Sequence, residues 1–195
     1  MNPAPKLVRT ARCIVLVATL TMAVFAAAQV ETIDATARGT STQMGSNFSI
    51  KVIISQFSTP EDRETLKEAF LKGANKGLTD ALSKMKGAGR IQIPGTVGYE
   101  LAYADTIPTP TGRKIRFVTN RRITFQEAAR NTRSTAYTLT AGEIDINDQD
   151  KNKSTGVLYP AAQLIINSDG ELQLELLRNP WQLVNIIDWK PKGRE

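Results

Sequence analysis

The residues able to do chemistry in this chain are carboxylates, hydroxyls, lysines and arginines, because it has no histidine and a single cysteine, Cys13. Without histidine it cannot assemble a Ser-His-Asp or Cys-His nucleophile, or a His-ligated zinc or haem site. Glu100 with Asp105, or Glu143 with Asp145, could form the carboxylate pair of a glycan hydrolase, which needs the two groups about 5 or 9 Å apart across a cleft. Acidic residues alternating on the wet face of a strand have the same spacing. No G-x-S-x-G elbow, phosphate-binding glycine loop or H-E-x-x-H supports catalysis. Asp148, Asp150, Asn152 and Ser154 follow the ligand spacing of a calcium loop. However, Lys153 stands at the sharp-turn glycine and Tyr159 at the bidentate glutamate, so a solvated turn is the plainer expectation and Asp148, Asp150 and Asn152 are only a weak metal candidate. No cofactor is implied.

Two further groups point to binding. Lys114, Arg116, Arg121 and Arg122 lie in a run that also holds Arg113, Arg130 and Arg133, a basic surface that could meet anionic envelope polymers or lipid headgroups. The run has no stacking-aromatic signature, which leaves little support for nucleic-acid binding. Tyr137, Leu139, Trp181 and Trp189 are candidates to line an apolar pocket if they face the inside of a curved sheet. By parity, Trp181 and Trp189 share a face with Leu183 and Ile187, and Tyr99 shares one with Tyr103. Aromatic residues so placed more often serve simply as core.

The N-terminus bears on where this chemistry would act. Lys6, Arg9 and Arg12 precede an apolar run from Cys13 to Ala28 that ends in three alanines. That is the layout of a secretory signal peptide, and the run is short of the roughly 20 residues needed to span a bilayer. Cleavage near Ala28 would leave 167 of the 195 residues, and no cysteine. The leader carries three of the 25 basic residues, so 22 would remain against 19 acidic ones. The expected product is secreted or periplasmic, with no transmembrane segment after cleavage, and stabilised by a core rather than by disulfides.

No linker or repeat divides residues 29 to 195, which are read as one domain. A strand, the polar connection 39 to 46 and a strand over 47 to 57 open it. A helix over about 60 to 86 follows, with Thr59 as N-cap, Pro60 in the first position and acidic residues in the first turn. Leu66, Phe70, Ala74, Leu78, Leu82 and Met85 form its apolar stripe. Gly87 and Gly89 are expected to stop it, while Gly73 and Gly77 call for a kink or a close neighbour. Strands are expected over 90–93, 97–105, 113–120, 134–147, 155–167, 171–178 and 181–189, with a helical turn or two over 124–131. A loop of Ser168, Asp169 and Gly170 should pair Ile166 with Leu172 and Leu164 with Leu174. Between Ala141 and Ile144 the apolar residues change parity at Gly142, which suggests a bulge or bend there. The fold class is α+β: a curved antiparallel sheet or partly closed barrel of about seven to nine strands, with one long amphipathic helix packed on it.

The segments RFVTNRRITFQEAARNTRS, GEIDINDQDKNKSTGVLYPAAQLIINSDGELQLELL and NPWQLVNI, within 116 to 186, are similar to those of a group of uncharacterised secreted bacterial proteins. That likeness implies export and a bacterial setting, but no activity. The order of elements also resembles helix-grip folds, although their C-terminal gripping helix has no counterpart here. The sequence therefore favours an exported, non-enzymatic binding or structural domain of the cell envelope or extracellular space. The alternatives are a carrier of a small apolar ligand between sheet and helix, and a carboxylate-dependent glycan hydrolase.

Overall fold

Alternating apolar residues require strands that bury one face, and the chain satisfies them by closing a sheet on itself. The computed structural model describes residues 30–41, 44–123, 137–166, 172–176 and 179–189. The elements are β1 (Glu31–Arg38), β2 (Asn47–Ile54), α1 (Pro60–Leu82), β3 (Gly89–Gln92), β4 (Tyr99–Thr109), β5 (Gly112–Thr119), β6 (Leu139–Asn147), β7 (Thr155–Ile166), β8 (Leu172–Leu176) and β9 (Trp181–Trp189). The sheet order is β6-β5-β4-β3-β2-β1-β9-β7-β8, and pairing of β6 with β7 closes eight of the strands into an antiparallel barrel. β8 lies outside the ring on the C-terminal half of β7, with Ile166 opposite Leu172 and Leu164 opposite Leu174, the register expected from the sequence. The 168–170 turn, the 124–131 segment and the leader lie outside the described residues.

The barrel interior is filled. Ile33, Val52, Leu101, Ile115, Phe117, Ile144, Leu158 and Leu183 are all at most 1% exposed, as expected for an eight-stranded barrel whose bore just accommodates side chains. Phe48 and Trp181 pack ring on ring at 4.7 Å within the same core. At the end where β1 begins and β9 finishes, Arg113 reaches across from β5. Its Nη2 donates to Glu31 Oε1 at 2.7 Å and to Asp188 Oδ2 at 2.6 Å.

β6 corrects the expectation of a bend at Gly142. Its pairing with β5 runs unbroken from Thr140 to Asn147, and the two parities serve two cores. Gly142, Ile144 and Ile146 face the barrel, while Leu139 packs against α1 outside it. Gly142 is needed because Phe117 occupies the space of a side chain: a Cβ there would lie 2.2 Å from its ring. The ladder shifts occur in other strands. β4 shifts between Leu101 and Tyr103, β7 shifts opposite Leu139–Ala141, at Pro160, and β9 shifts at Asn185, whose φ is +52°. Asparagine tolerates this left-handed conformation, and a bulge accommodates a proline that a regular ladder would not.

α1 starts as its local chemistry dictates. Thr59 and Asp62 form a reciprocal capping box and Pro60 occupies the first turn. The helix ends at Leu82 instead of 86, and Lys84, Lys86 and Gly87 fall beyond it; Gly89 instead opens β3, packed against the Ile53 carbonyl. Both readings of its interior glycines apply. The helix breaks at Gly73 and Ala74, where Ala74 has φ +48° and ψ −141°. Past the break, a Cβ on Gly77 would lie 2.3 Å from the Ala69 carbonyl oxygen. Leu66, Phe70, Leu78 and Leu82 are buried as the stripe requires, whereas Ala74 leaves it for the exposed break. Among the described residues no helix is long and apolar enough to cross a membrane.

Candidate functional site

The broken helix roofs a groove of about 960 Å³ on the outer face of the barrel. Leu66, Phe70, Leu78 and Leu82 of α1 form one wall. Tyr103 of β4, Val118 of β5, Leu139 and Ala141 of β6, and Leu164 of β7 form the other. The first half of α1 is held to β4 by Arg63, whose Nη2 donates to Asp105 Oδ2 at 2.9 Å. The Tyr103 hydroxyl accepts a longer bond from Arg63 Nε and, with Asp105, raises the guanidinium pKa above its ordinary value. The second half is held to the far side. Asn75 Nδ2 and Thr79 Oγ1 contact Thr138 Oγ1 at 3.4 and 3.0 Å, and Leu164 N donates to Asn75 Oδ1 at 3.3 Å. Anchored at both ends, the helix buries its four apolar residues against the sheet and leaves a groove along them.

Of the four residues expected to line an apolar pocket, only Leu139 lies in this groove. Trp181 is buried inside the barrel. Trp189 is about half exposed, and its indole N–H donates to Asp34 Oδ2 at 2.8 Å. Tyr137 stands beside Glu175, and burial together with that carboxylate raises its phenol pKa. The shift at Asn185 separates Ile187 and Trp189, which face outward, from Trp181, Leu183 and Ile186, which face inward. Tyr99 and Tyr103 are separated in the same way by the β4 shift, Tyr99 packing with the barrel core and Tyr103 with the helix layer. The groove residues of α1 were legible as an apolar stripe. A stripe does not distinguish a packed interface from an underfilled one.

The basic residues divide into two places. Lys114 and Arg116 share the outer face of β5 and both bind Glu143, at 2.7 and 2.8 Å. Burial would raise the Glu143 pKa, but hydrogen bonds and charge from these two cations outweigh it, and the carboxyl titrates below its ordinary range. A general acid would need the opposite shift. Asp105 lies opposite Arg116, which lies opposite Glu143, so three strands carry one row of alternating charge. Arg121 lies 5.1 Å over the Tyr99 ring and lines a smaller cavity of about 350 Å³ at the barrel end with Ile50, Ile91 and Ile123; Arg122 follows it. Asp150 Oδ1 accepts from Asn152 N at 3.1 Å, capping a 3-10 turn over Lys151–Lys153, and Asp148 N donates to the Thr111 carbonyl. The Asp148–Asn152 segment is thus a self-bonded turn between β6 and β7.

These features define a closed eight-stranded antiparallel barrel with an apolar groove beneath an outer helix. No family model, curated protein or solved structure matches the chain.

Proposed function

We propose that the protein is an exported, non-enzymatic binding domain that carries a small apolar ligand in the groove between α1 and the outer face of β4–β7. The observation that carries this reading is the groove itself. Its volume of about 960 Å³ lies at the upper end of the range typical of small-molecule sites, and its walls are chiefly aliphatic and aromatic. The described core side chains fill the bore, and the cavity of about 350 Å³ at the barrel end is smaller. Export is supported by the basic, apolar and small-residue order of residues 1–28, so the ligand would be met in the periplasm or outside the cell. A glycan hydrolase is the weaker reading, because Asp105 and Glu143 are each held by an arginine on the outer surface.

The neutral dye Nile red, which fluoresces in apolar surroundings, tests the reading. The protein should bind it, and Ala141→Trp, which fills the groove from β6, should abolish binding while circular dichroism stays unchanged. Absence of binding, or undiminished binding by a folded Ala141→Trp variant, would overturn the proposal.

A further inference from the structure

We infer that the ligand is a single-chain amphiphile with a carboxylate head, lying with its tail against Leu78, Leu139 and Leu164 and its head between Lys67 and Arg116. The inference rests on the apolar-groove reading and adds the ligand's charge and direction. Its basis is the uneven distribution of charge around the groove. Among the described lining residues, the charged ones are Arg63, Lys67, Arg116 and Asp105, three cations and one carboxylate, all at the end formed by the first half of α1 with β4 and β5. The other end, beneath the second half of α1, is walled by leucines.

Arg63 and Arg116 flank the same carboxylate. Arg63 binds Asp105 directly, and Arg116 is its cross-strand partner. With the ion-pair partners included, Arg63, Lys67, Lys114 and Arg116 stand against Asp105, Glu64 and Glu143, four positive charges to three negative, so an added anion meets one excess positive charge. The cations are also accessible: the side chains of Lys67 and Arg116 are 63% and 54% exposed. The Glu64 partner of Lys67 is equally exposed, so that pair is weak and can be exchanged for a ligand carboxylate at little cost. Among the described residues Arg116 bonds Glu143 through Nε, and the two Nη nitrogens of its planar fork can meet a carboxylate. A neutral apolar molecule would gain nothing from these groups, and a cationic amphiphile would be repelled.

The test compares hexadecanoate with hexadecan-1-ol, both below their aggregation limits, as displacers of Nile red from the full secreted chain at neutral pH. The acid should displace the dye about tenfold more effectively than the alcohol, and the ratio should fall towards one in Lys67→Gln/Arg116→Gln. Equal displacement by acid and alcohol, or an unchanged ratio in the double variant, would overturn the carboxylate assignment and leave the apolar groove standing. If the dye binds but neither compound displaces it, the amphiphile assignment falls. If the dye itself does not bind, the underlying reading fails as well.

Discussion

The barrel interior and the layer between barrel and helix use the same strands but are packed to different ends. Inside, Phe117 meets Gly142 so closely that no side chain fits between them, and Arg113 bridges one end of the bore to Glu31 and Asp188. Outside, Leu66, Phe70, Leu78 and Leu82 are buried in a second cluster with Ala102 and Leu139, and an open groove runs along it. The barrel is the load the fold must carry to exist at all, and the outer layer is where the protein can leave space without losing its core. A binding site on a packed scaffold is most economically placed in such a second layer.

Truncations in the two regions should separate them most clearly. Phe117→Ala should cost about 3–5 kcal/mol, because a rigid barrel cannot collapse onto the cavity, whereas Leu78→Ala should cost about 2 kcal/mol, the low end for a buried leucine, since the adjoining groove gives its neighbours room to relax. Urea unfolding of both variants measures this difference, and equal costs would mean that the helix layer is as tightly packed as the bore. A smaller change of opposite sign is expected at the break in α1. Ala74 holds a backbone conformation suited to glycine, so Ala74→Gly should stabilise by about 1 kcal/mol, seen as a rise of about 2–4 °C in Tm. A fall in Tm would mean that the two helix halves are not held apart by that break.

The smallest effect belongs to Glu143. Its pKa is lowered in the folded protein, so its ionised form stabilises the fold at pH above the ordinary glutamate value of about 4.3, and this contribution is lost as pH falls through the lowered value. Glu143→Gln should therefore destabilise at pH 7 by less than about 1 kcal/mol, the pair being partly exposed, and should make no difference once the wild-type carboxyl is protonated. Denaturant midpoints for both proteins across that acid range check the sign, and a penalty that grows on acidification would contradict it.

What the sequence disclosed follows from how local each signal is. Thr59, Pro60 and Asp62 specify the helix start within four positions, and the pairing of Leu164 with Leu174 follows from loop length and face alone. Parity ceases to mark the face where the chain inserts a residue. Asn185 reverses the facing of Ile187 and Trp189, the β4 shift parts Tyr99 from Tyr103, and neither carries a glycine to mark it. Pro160, inside the run 155–167, was a readable sign of a bulge in β7. At β6 the reverse error arose, since a change of apolar parity at Gly142 signals either a bend or burial on both faces, and only the positions of α1 and Phe117 decide between them. The groove was half legible: Leu139 was a candidate and the α1 stripe was evident, but empty volume depends on how far apart two elements are held. Thr138 and Asp105 hold α1 through contacts more than 40 residues apart in sequence, and no local pattern encodes them.

Ligand should enter the outer layer and leave the barrel untouched. Intermolecular nuclear Overhauser effects between hexadecanoate and assigned methyl groups test it directly. Contacts are expected from the acyl chain to Leu66, Leu78, Leu82, Leu139 and Leu164, and none to Ile115, Ile144 or Leu158. Contacts to the barrel methyls, or no contacts to the α1 leucines when ligand is bound, would contradict it.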